Sequence, residues 1–296
     1  MDDEPAASER PLHERIGEQF AYRGERADVW RAFDRFLDTD AYLNLGYSPR
    51  YLPHVVGSSQ RRLARVVGDG LEERLGATGG VRLLDVGCGR GGPAAVLADE
   101  FGFDVVGVDL VPYNVAAARR NAARAGVRAA FAVGDAARLP VDSGAVDAAT
   151  SIDALVYVPD ERAAFDELAR VVRPGGVVAV SDLLARDGLD RGARAAVDAF
   201  ADAWDMPAIA PASRYLDDLA AAGLVADEAR ELGPHSVDRF RTWTRLYLGL
   251  AERSSGPTGW LLDRWGLDAD AVTEQVRCAH EALPHLRHVL IYASVE

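Results

Sequence analysis

Short apolar runs alternate with longer amphipathic stretches through most of the chain. The runs have the length and the Val, Ile, Leu and Ala content of strands that are buried on both faces. The stretches between them repeat their apolar positions at helical spacing. Strands that alternate with helices predict an α/β fold, in which a mostly parallel sheet carries helices on both faces. The predicted strands are Val81–Val86, Asp104–Asp109, Val127–Val133, Val146–Ile152, Val177–Ser181, Leu224–Leu232 and His288–Val295.

Helical stretches outside this pattern predict an additional helical layer. Residues 27–37 have one strongly apolar face, and that helix would either dock on the core or cover a binding site as a lid. We predict a helical N-terminal segment over residues 1–76 and a sheet-containing domain over residues 77–296. Helical insertions around residues 188–222 and 236–284 would complete the lid. The apolar residues of the first helix are Val29, Trp30, Phe33, Phe36 and Leu37.

A glycine-rich turn follows the first predicted strand, and the rest of the chain is organised around it. The segment from Asp85 to Gly92 reads Asp-Val-Gly-Cys-Gly-Arg-Gly-Gly and leads into an alanine-rich helix. Glycines let the backbone come close to a ligand, and the helix presents unpaired N–H groups to an anionic part of it. Gly87, Gly89 and Gly92 match the G-x-G-x-x-G spacing of a dinucleotide site, which alone is a weak signal. Asp85 favours a different ligand, because a carboxylate repels a pyrophosphate and attracts a cation.

The turn also fits a second pattern. Asp85, Gly87, Gly89 and Gly91 form D-x-G-x-G-x-G, which resembles motif I of class I S-adenosylmethionine-dependent methyltransferases, in the branch of the ubiquinone-biosynthesis, sterol and sugar enzymes. The resemblance is strong over residues 81–182. It implies a Rossmann-like, doubly wound, seven-stranded sheet with an antiparallel last strand, and S-adenosylmethionine as a cofactor that leaves as S-adenosylhomocysteine. Segments elsewhere that are similar to this family are Asn44–Tyr47, Gly134–Ala136, Asp147–Asp160 and Leu168–Gly176.

Acids at the ends of the second and third strands are candidate cofactor contacts. Asp109 lies 22 positions after Gly87, where a carboxylate accepts hydrogen bonds from a ribose diol, although an acid there can also be a solvated strand end. By resemblance Asp135 meets the adenine amino group; the alternative is a helix cap, worth about 1 kcal/mol. Tyr47 would contact the methionine end of the cofactor, with packing as the alternative. The resemblance implies further contacts at Cys88, Leu110, Ala136 and Ser151.

The group that would remove a proton from the substrate is harder to assign. Many sugar and sterol relatives carry a histidine near the positions filled here by Val156 and Tyr157, and use it as the base. The remaining candidates are Asp182, Asp153, His235 and Tyr157, each at or just after the end of a predicted strand. His235 has the most suitable unperturbed pKa, whereas a tyrosine with a pKa near 10 is a poor base. Each of these side chains also has a structural alternative, as a loop cap, a surface residue or packing.

Charge and residue types exclude several classes of function. The net charge of −13 argues against nucleic acid as the main partner, since phosphate binding needs a basic face. All 33 basic residues are arginines, which excludes a Schiff-base lysine and a P-loop lysine. The two cysteines are too few for a disulfide framework or a cysteine-based zinc site. With no apolar run of transmembrane length, we expect a cytoplasmic protein with a small-molecule substrate and no membrane partner; a homo-oligomer stays open.

Methyl transfer to a mid-sized, partly apolar metabolite fits these features best, with O-methylation in secondary metabolism as the expected reaction and N- or C-methylation as variants. Three alternatives stay open. The first is a protein of the same fold that binds the cofactor without transferring methyl and assists another reaction. An NAD-dependent oxidoreductase would use the turn differently, although Asp85 argues against it. A metal-assisted methyltransferase would need Asp153 and Asp182 to share a Mg²⁺ ion.

Overall fold

The computed structural model describes residues 11–21, 28–34, 39–49, 56–253 and 257–296, and shows the predicted α/β fold. Its strands are β1 Arg82–Val86, β2 Asp104–Asp109, β3 Ala129–Val133, β4 Val146–Ile152, β5 Val172–Ala185, β6 Leu224–Glu231 and β7 Leu286–Val295. They form one seven-stranded sheet in the order β3-β2-β1-β4-β5-β7-β6. Strand β7 is antiparallel to both of its neighbours, whereas β1 to β5 pair in parallel. The Rossmann-like sheet with an antiparallel last strand is therefore confirmed.

The described helices lie on both faces of the sheet and over one of its edges. They are α1 Leu12–Phe20, α2 Asp28–Asp34, α3 Val56–Leu75, α4 Gly92–Phe101, α5 Pro112–Ala125, α6 Glu161–Val171, α7 Arg191–Ala203, α8 Ala212–Ala221, α9 Val237–Arg253, α10 Pro257–Arg264 and α11 Ala269–Ala282.

Neighbouring strand residues point to opposite faces, which explains the continuous apolar runs. Leu83 faces a core that α3, α4 and α5 complete, while Leu84 faces a second core formed with α6 and α8. Both leucines are fully buried. The sheet is thus covered on both sides, and its ligand-accessible part is the edge where β1, β2, β4 and β5 end.

A third apolar cluster covers that edge. It joins side chains of α1, α2, α7, α9 and α11 with residues that follow β2 and β4. The Trp30 ring lies 5.3 Å from the Phe20 ring and 5.5 Å from the Trp204 ring, centroid to centroid. The helix predicted over residues 27–37 is present as α2 and packs into this cluster, while its role as a lid stays a prediction. The Phe33 side chain, Phe36 and Leu37 lie outside the described residues.

Some elements differ from the prediction. Strand β5 begins at Val172, directly after α6, where Val172 pairs with Val146 of β4. It runs to Ala185 because β7 pairs with it from Val177 to that end. Helices α1 and α10 fall within the segments predicted to be helical, 1–76 and 236–284, but their bounds were not predicted, since they span only 9 and 8 residues. None of the described helices is long and apolar enough to cross a membrane. The domain boundaries, the compartment and a homo-oligomer stay predictions.

Candidate active site

The glycine turn after β1 has a backbone that only glycine adopts readily. Gly87, Gly89 and Gly91 have φ angles of 70°, 52° and 81°. A Cβ atom at Gly87 would lie 2.3 Å from the Ala154 Cβ atom. The Gly87 N–H donates to the Val108 carbonyl at 2.7 Å, which ties the turn to the end of β2. The turn is therefore rigid and closely packed.

A cavity of about 520 Å³ opens between this turn and the ends of β2, β3 and β4; we call it the turn cavity. Helix α1 covers part of it through Leu12, Ile16 and Phe20. Eight of the residues predicted for the site border it, namely Gly87, Gly89, Asp109, Leu110, Asp135, Ala136, Asp153 and Tyr157.

Asp109, the last residue of β2, borders the turn cavity and is buried, with only 8% of its surface exposed. Its carboxylate accepts hydrogen bonds from the Gly89 N–H at 2.8 Å, the Val111 N–H at 2.9 Å and the Asn114 amide at 3.2 Å. Burial raises the pKa of Asp109, and these hydrogen bonds and Arg90 only partly offset that effect. A strand-end acid that is this enclosed is not the solvated residue of the alternative interpretation.

Asp135, just after β3, also borders the turn cavity and is exposed. Its carboxylate accepts a hydrogen bond from the Ala137 N–H at 2.9 Å within a turn. No helix of the described chain begins there, so the helix-cap alternative for Asp135 is wrong. The carboxylate is left accessible at the cavity.

Asp85 is buried beneath the turn, at 1% exposure, and borders no cavity. Neither of its carboxylate oxygens has a hydrogen-bond partner among the described residues. Burial, and secondarily the charge of Asp109, raises the pKa of Asp85 to about 8. Such a group is costly to ionise unless a cation comes close.

Asp153, just after β4, has a left-handed backbone with φ of 55°, which is uncommon outside glycine. Its carboxylate accepts hydrogen bonds from the Ser181 hydroxyl at 2.6 Å, His288 Nε2 at 2.8 Å and the Leu45 N–H at 2.8 Å. Burial alone would raise the pKa of Asp153, but the attraction of His288 and these hydrogen bonds outweigh it and lower the pKa. Asp153 is therefore ionised at neutral pH, and it borders the turn cavity.

A second cavity of about 680 Å³ lies on the other side of Asp153; we call it the apolar cavity. It shares Leu43, Asp153 and Tyr157 with the turn cavity, so these three residues form the wall between the two. Trp204 and Met206, between α7 and α8, border it. Most other residues around it are apolar or aromatic side chains of α2, α7, α9, α10 and α11. This space suits a ligand with a large apolar body.

Tyr157 belongs to the wall but is unsuited to act as a base. Burial raises its pKa, and the charges of Asp205, Asp182 and Asp153 raise it further. Its ring packs edge-on against Phe20, with centroids 5.2 Å apart. Among the described residues its hydroxyl has no hydrogen-bond partner, so it is free to donate to a ligand.

The structure does not bring Asp182 to either cavity. Ser181 points toward Asp153, so its neighbour Asp182 points to the opposite face of the sheet, where the Tyr215 hydroxyl donates to it at 3.2 Å. Asp182 is fully buried, and burial raises its pKa well above the usual range. Asp153 and Asp182 therefore do not converge on one metal ion. The described residues contain no group of three His, Cys, Asp or Glu side chains that could hold a metal ion.

His235 and Tyr47 also lie away from the cavities. The His235 ring stacks on the Tyr47 ring at a centroid distance of 4.6 Å, and His235 Nδ1 lies 3.0 Å from the Ser48 carbonyl oxygen. The pair joins the Tyr47 segment to the end of β6. Three further predicted contacts, Cys88, Gly91 and Ser151, border neither cavity.

Those three residues serve packing in the structure. Cys88 is buried against Gly107, and burial raises the pKa of its thiol well above the usual range. Gly91 is the N-cap residue directly before α4, and a Cβ atom there would lie 2.9 Å from the Ala118 Cβ atom. Ser151 is fully buried in β4.

Three side chains near the site were missed by sequence reasoning. His288, on β7, lies 135 positions from Asp153, to which it donates a hydrogen bond. Arg90, in the turn, is buried and donates to the carbonyls of Thr39 and Phe20 at 2.8 and 2.9 Å. Arg15 of α1 pairs with Asp205 at 2.8 Å. Of these three residues, only His288 could have been noticed in the sequence, because it is a polar residue in an otherwise apolar strand.

Comparison with known proteins identifies the central part of the chain. A family model described as a methyltransferase domain matches residues 84–180. The 2-methyl-6-phytyl-1,4-hydroquinone methyltransferase of Synechocystis sp. is 33% identical over 187 residues, which are 62% of this chain and 57% of that protein. The methyltransferase GfsG of Streptomyces halstedii is 33% identical over 57% of this chain and 64% of its own length. The chain thus spans less than two thirds of these relatives.

Solved structures agree with the fold. The cyclase SpnF aligns with a TM-score of 0.72 over 96% of this chain and 97% of its own, at 23% identity. The geranyl diphosphate C-methyltransferase of Streptomyces coelicolor aligns with a TM-score of 0.67 over 99% of this chain and 100% of its own, at 22% identity. At such identities the likeness shows the fold alone. Residues 84–180 therefore match a methyltransferase domain, and the solved structures share the fold of the whole described chain.

Proposed function

We propose that this protein transfers the methyl group of S-adenosylmethionine to a small molecule with a large apolar body. One observation carries the proposal: two cavities of different character meet at a wall of three residues, Leu43, Asp153 and Tyr157. The turn cavity, with its glycines and acids, suits a polar nucleoside, and the apolar cavity suits the acceptor. Methyl transfer requires the two ligands to approach at this wall.

The residues around the turn cavity fit the cofactor. Asp109 and Asp135 offer carboxylates to the hydroxyls and the amino group of a nucleoside, and Gly87 and Gly89 border the same cavity. The Asp85 carboxylate has no hydrogen-bond partner among the described residues, and its pKa is raised to about 8. A cationic group close to the turn would therefore stabilise its charged form. When bound, S-adenosylmethionine supplies an electrophilic methyl group.

Asp153 is our candidate for the residue that faces the reacting atom of the acceptor. It is the only ionised group that borders both cavities among the described residues. If the acceptor is an alcohol, its proton must leave as the oxygen gains carbon, and a nearby carboxylate accepts a hydrogen bond from that hydroxyl and then the proton. A weak base suffices, since most of the rate comes from positioning, worth about 7–11 kcal/mol.

Transfer to oxygen agrees with several of the relatives. They include the O-methyltransferase cnsE of Penicillium expansum, 34% identical over 53% of this chain. O-methylation is therefore our first choice. A carbon acceptor would need Asp153 only after methyl transfer, to take a proton from that carbon.

The test is methyl transfer from tritiated S-adenosylmethionine to a panel of apolar alcohols, phenols and hydroquinones. We expect label in at least one organic-soluble product, and a loss of more than 100-fold in rate for Asp153→Ala. Asp147→Ala is the control, because Asp147 lies at the other end of β4, paired with Arg82 and Arg173. A wild-type protein that binds the cofactor but labels nothing would favour the alternative without methyl transfer, which the cyclase SpnF shows to be compatible with this fold.

Asp109→Ala should weaken cofactor affinity by about 1–3 kcal/mol, the cost of losing a charge-assisted hydrogen bond. The structure adds that Asp109 also orders the Gly89 N–H, so the loss should fall at the upper end. Calorimetric titration with S-adenosylhomocysteine measures the change. Asp104→Ala, at the start of the same strand, is the control, and unchanged affinity for Asp109→Ala would refute the assignment.

A further inference from the structure

The segment that carries Asn44 is fixed in place from both sides. The Gln60 amide donates to the Asn44 carbonyl at 2.6 Å, and the Leu45 N–H donates to Asp153 at 2.8 Å. Gly46 has a φ of 79°, and a Cβ atom there would lie 2.6 Å from the Ser59 Oγ atom. The backbone of Asn44 is therefore held between α3 and the wall residue Asp153.

The side chain of Asn44, in contrast, has nothing to bind. Asn44 is 5% exposed, it borders the apolar cavity, and neither atom of its amide has a hydrogen-bond partner among the described residues. Gln60 is 3% exposed, borders the same cavity and has an unpartnered Oε1. Buried amides are nearly always hydrogen-bonded, so two unsatisfied ones beside one cavity indicate a polar group of a ligand. Asn44 lies between the wall residue Leu43 and Leu45, whose N–H donates to the wall residue Asp153, so the Asn44 backbone runs along the wall.

The charges around the cavity limit what that ligand is. The described residues that border it include no arginine, lysine or histidine, and Asp153 is their only ionised group. A phosphate or diphosphate would therefore meet a negative carboxylate and no compensating cation. A neutral oxygen fits better, since a hydroxyl both donates to an amide oxygen and accepts from an amide nitrogen.

We propose that the amide of Asn44 selects an uncharged, mostly apolar acceptor by binding a hydroxyl or neighbouring oxygen at its reacting end. This inference rests on the proposed function, because it assigns the apolar cavity to the methyl acceptor. Gln60 supports the same end of the acceptor through its free oxygen. The rest of the acceptor lies among the aromatic and aliphatic side chains, which select for size and apolarity alone.

The experiment measures binding and stability, and it needs no turnover. The neutral fluorophore N-phenyl-1-naphthylamine is bound in the cavity and displaced by farnesol, by farnesene, which lacks the oxygen, and by farnesyl diphosphate. For the wild type we expect farnesol to compete about tenfold better than either of the others, the factor that one buried hydrogen bond provides. Asn44→Leu should abolish the preference over farnesene. Its melting temperature should stay equal or rise, because two unsatisfied polar atoms are removed.

Asn121→Leu is the matched control. The Asn121 amide donates to the carbonyls of Asp40 and Arg90 and borders neither cavity, so this variant should lose stability and keep the preference for farnesol. A wild type without that preference, a preference for the diphosphate, an Asn44→Leu variant that keeps the preference, or one that melts lower would each overturn the inference. Titration with S-adenosylhomocysteine separates the two hypotheses: if it binds while farnesol shows no preference, the acceptor assignment fails and the proposed function stands.

Discussion

Replacement of Asp85 by asparagine should stabilise the free protein and weaken its binding of S-adenosylmethionine. The carboxyl has a folded-state pKa of about 8 and an unfolded-state pKa near 4, so folding disfavours its ionised form. The protonated Asp85 carboxyl therefore contributes a few kcal/mol to the free energy of unfolding below about pH 4, and this contribution is lost as the pH rises through 8. Asparagine has no such loss. The variant should therefore melt higher than the wild type at pH 8, with a smaller difference at pH 5.

The affinity should change in the opposite direction. If a cationic group of the cofactor stabilises the charged form of Asp85, binding near pH 7 releases a proton from it, which calorimetry in buffers of different ionisation heats detects. In Asp85→Asn that release should vanish and the affinity should fall about 10–100-fold. A variant that is destabilised at pH 8, or one that binds the cofactor as the wild type does, would contradict this role for Asp85.

Gly87→Ala should abolish cofactor binding and destabilise the protein. The φ of Gly87 is +70°, where a side chain costs about 1–2 kcal/mol, and the added methyl group would lie 2.3 Å from the Ala154 Cβ atom. Either the turn or the segment after β4 must move, and both border the turn cavity. Thermal melting and titration with S-adenosylhomocysteine measure the two effects.

Two further variants separate backbone strain from the clash. Gly126 has almost the same φ, +69°, but nothing lies within 4 Å of a Cβ atom there, so Gly126→Ala should lose only the strain energy and keep full affinity. The double variant Gly87→Ala, Ala154→Gly removes the clashing methyl group and should regain binding in part. Equal affinities of Gly87→Ala and the wild type would show that the packing of the turn does not matter for the ligand.

The sequence was informative where a local pattern decides the structure. Asp109 and Asp135 were found because parallel strands all end at one edge of the sheet, so an acid just after each strand reaches the same cavity. Gly87 was found because glycines at fixed spacing directly after a buried strand indicate a turn whose backbone comes close to a ligand. These inferences need only the order of the strands and the composition of the turn.

Residues whose position depends on contacts between distant segments were not predictable. Whether Ser181 or Asp182 faces the site depends on how β5 pairs with both neighbours, because one step along a strand reverses the side chain. His288 reaches Asp153 only because β7 returns beside β5 in an antiparallel direction. His235 ends at the correct edge of the sheet, but its stacking on Tyr47 holds it away from the cavities.

The central claim is that the turn cavity binds the nucleoside of S-adenosylmethionine. A calorimetric titration of the purified protein with the demethylated product S-adenosylhomocysteine, beside one with NAD⁺, tests it most directly. We predict saturable binding of one S-adenosylhomocysteine per chain and no heat from NAD⁺. Saturation by NAD⁺, with no heat from S-adenosylhomocysteine, would contradict the account.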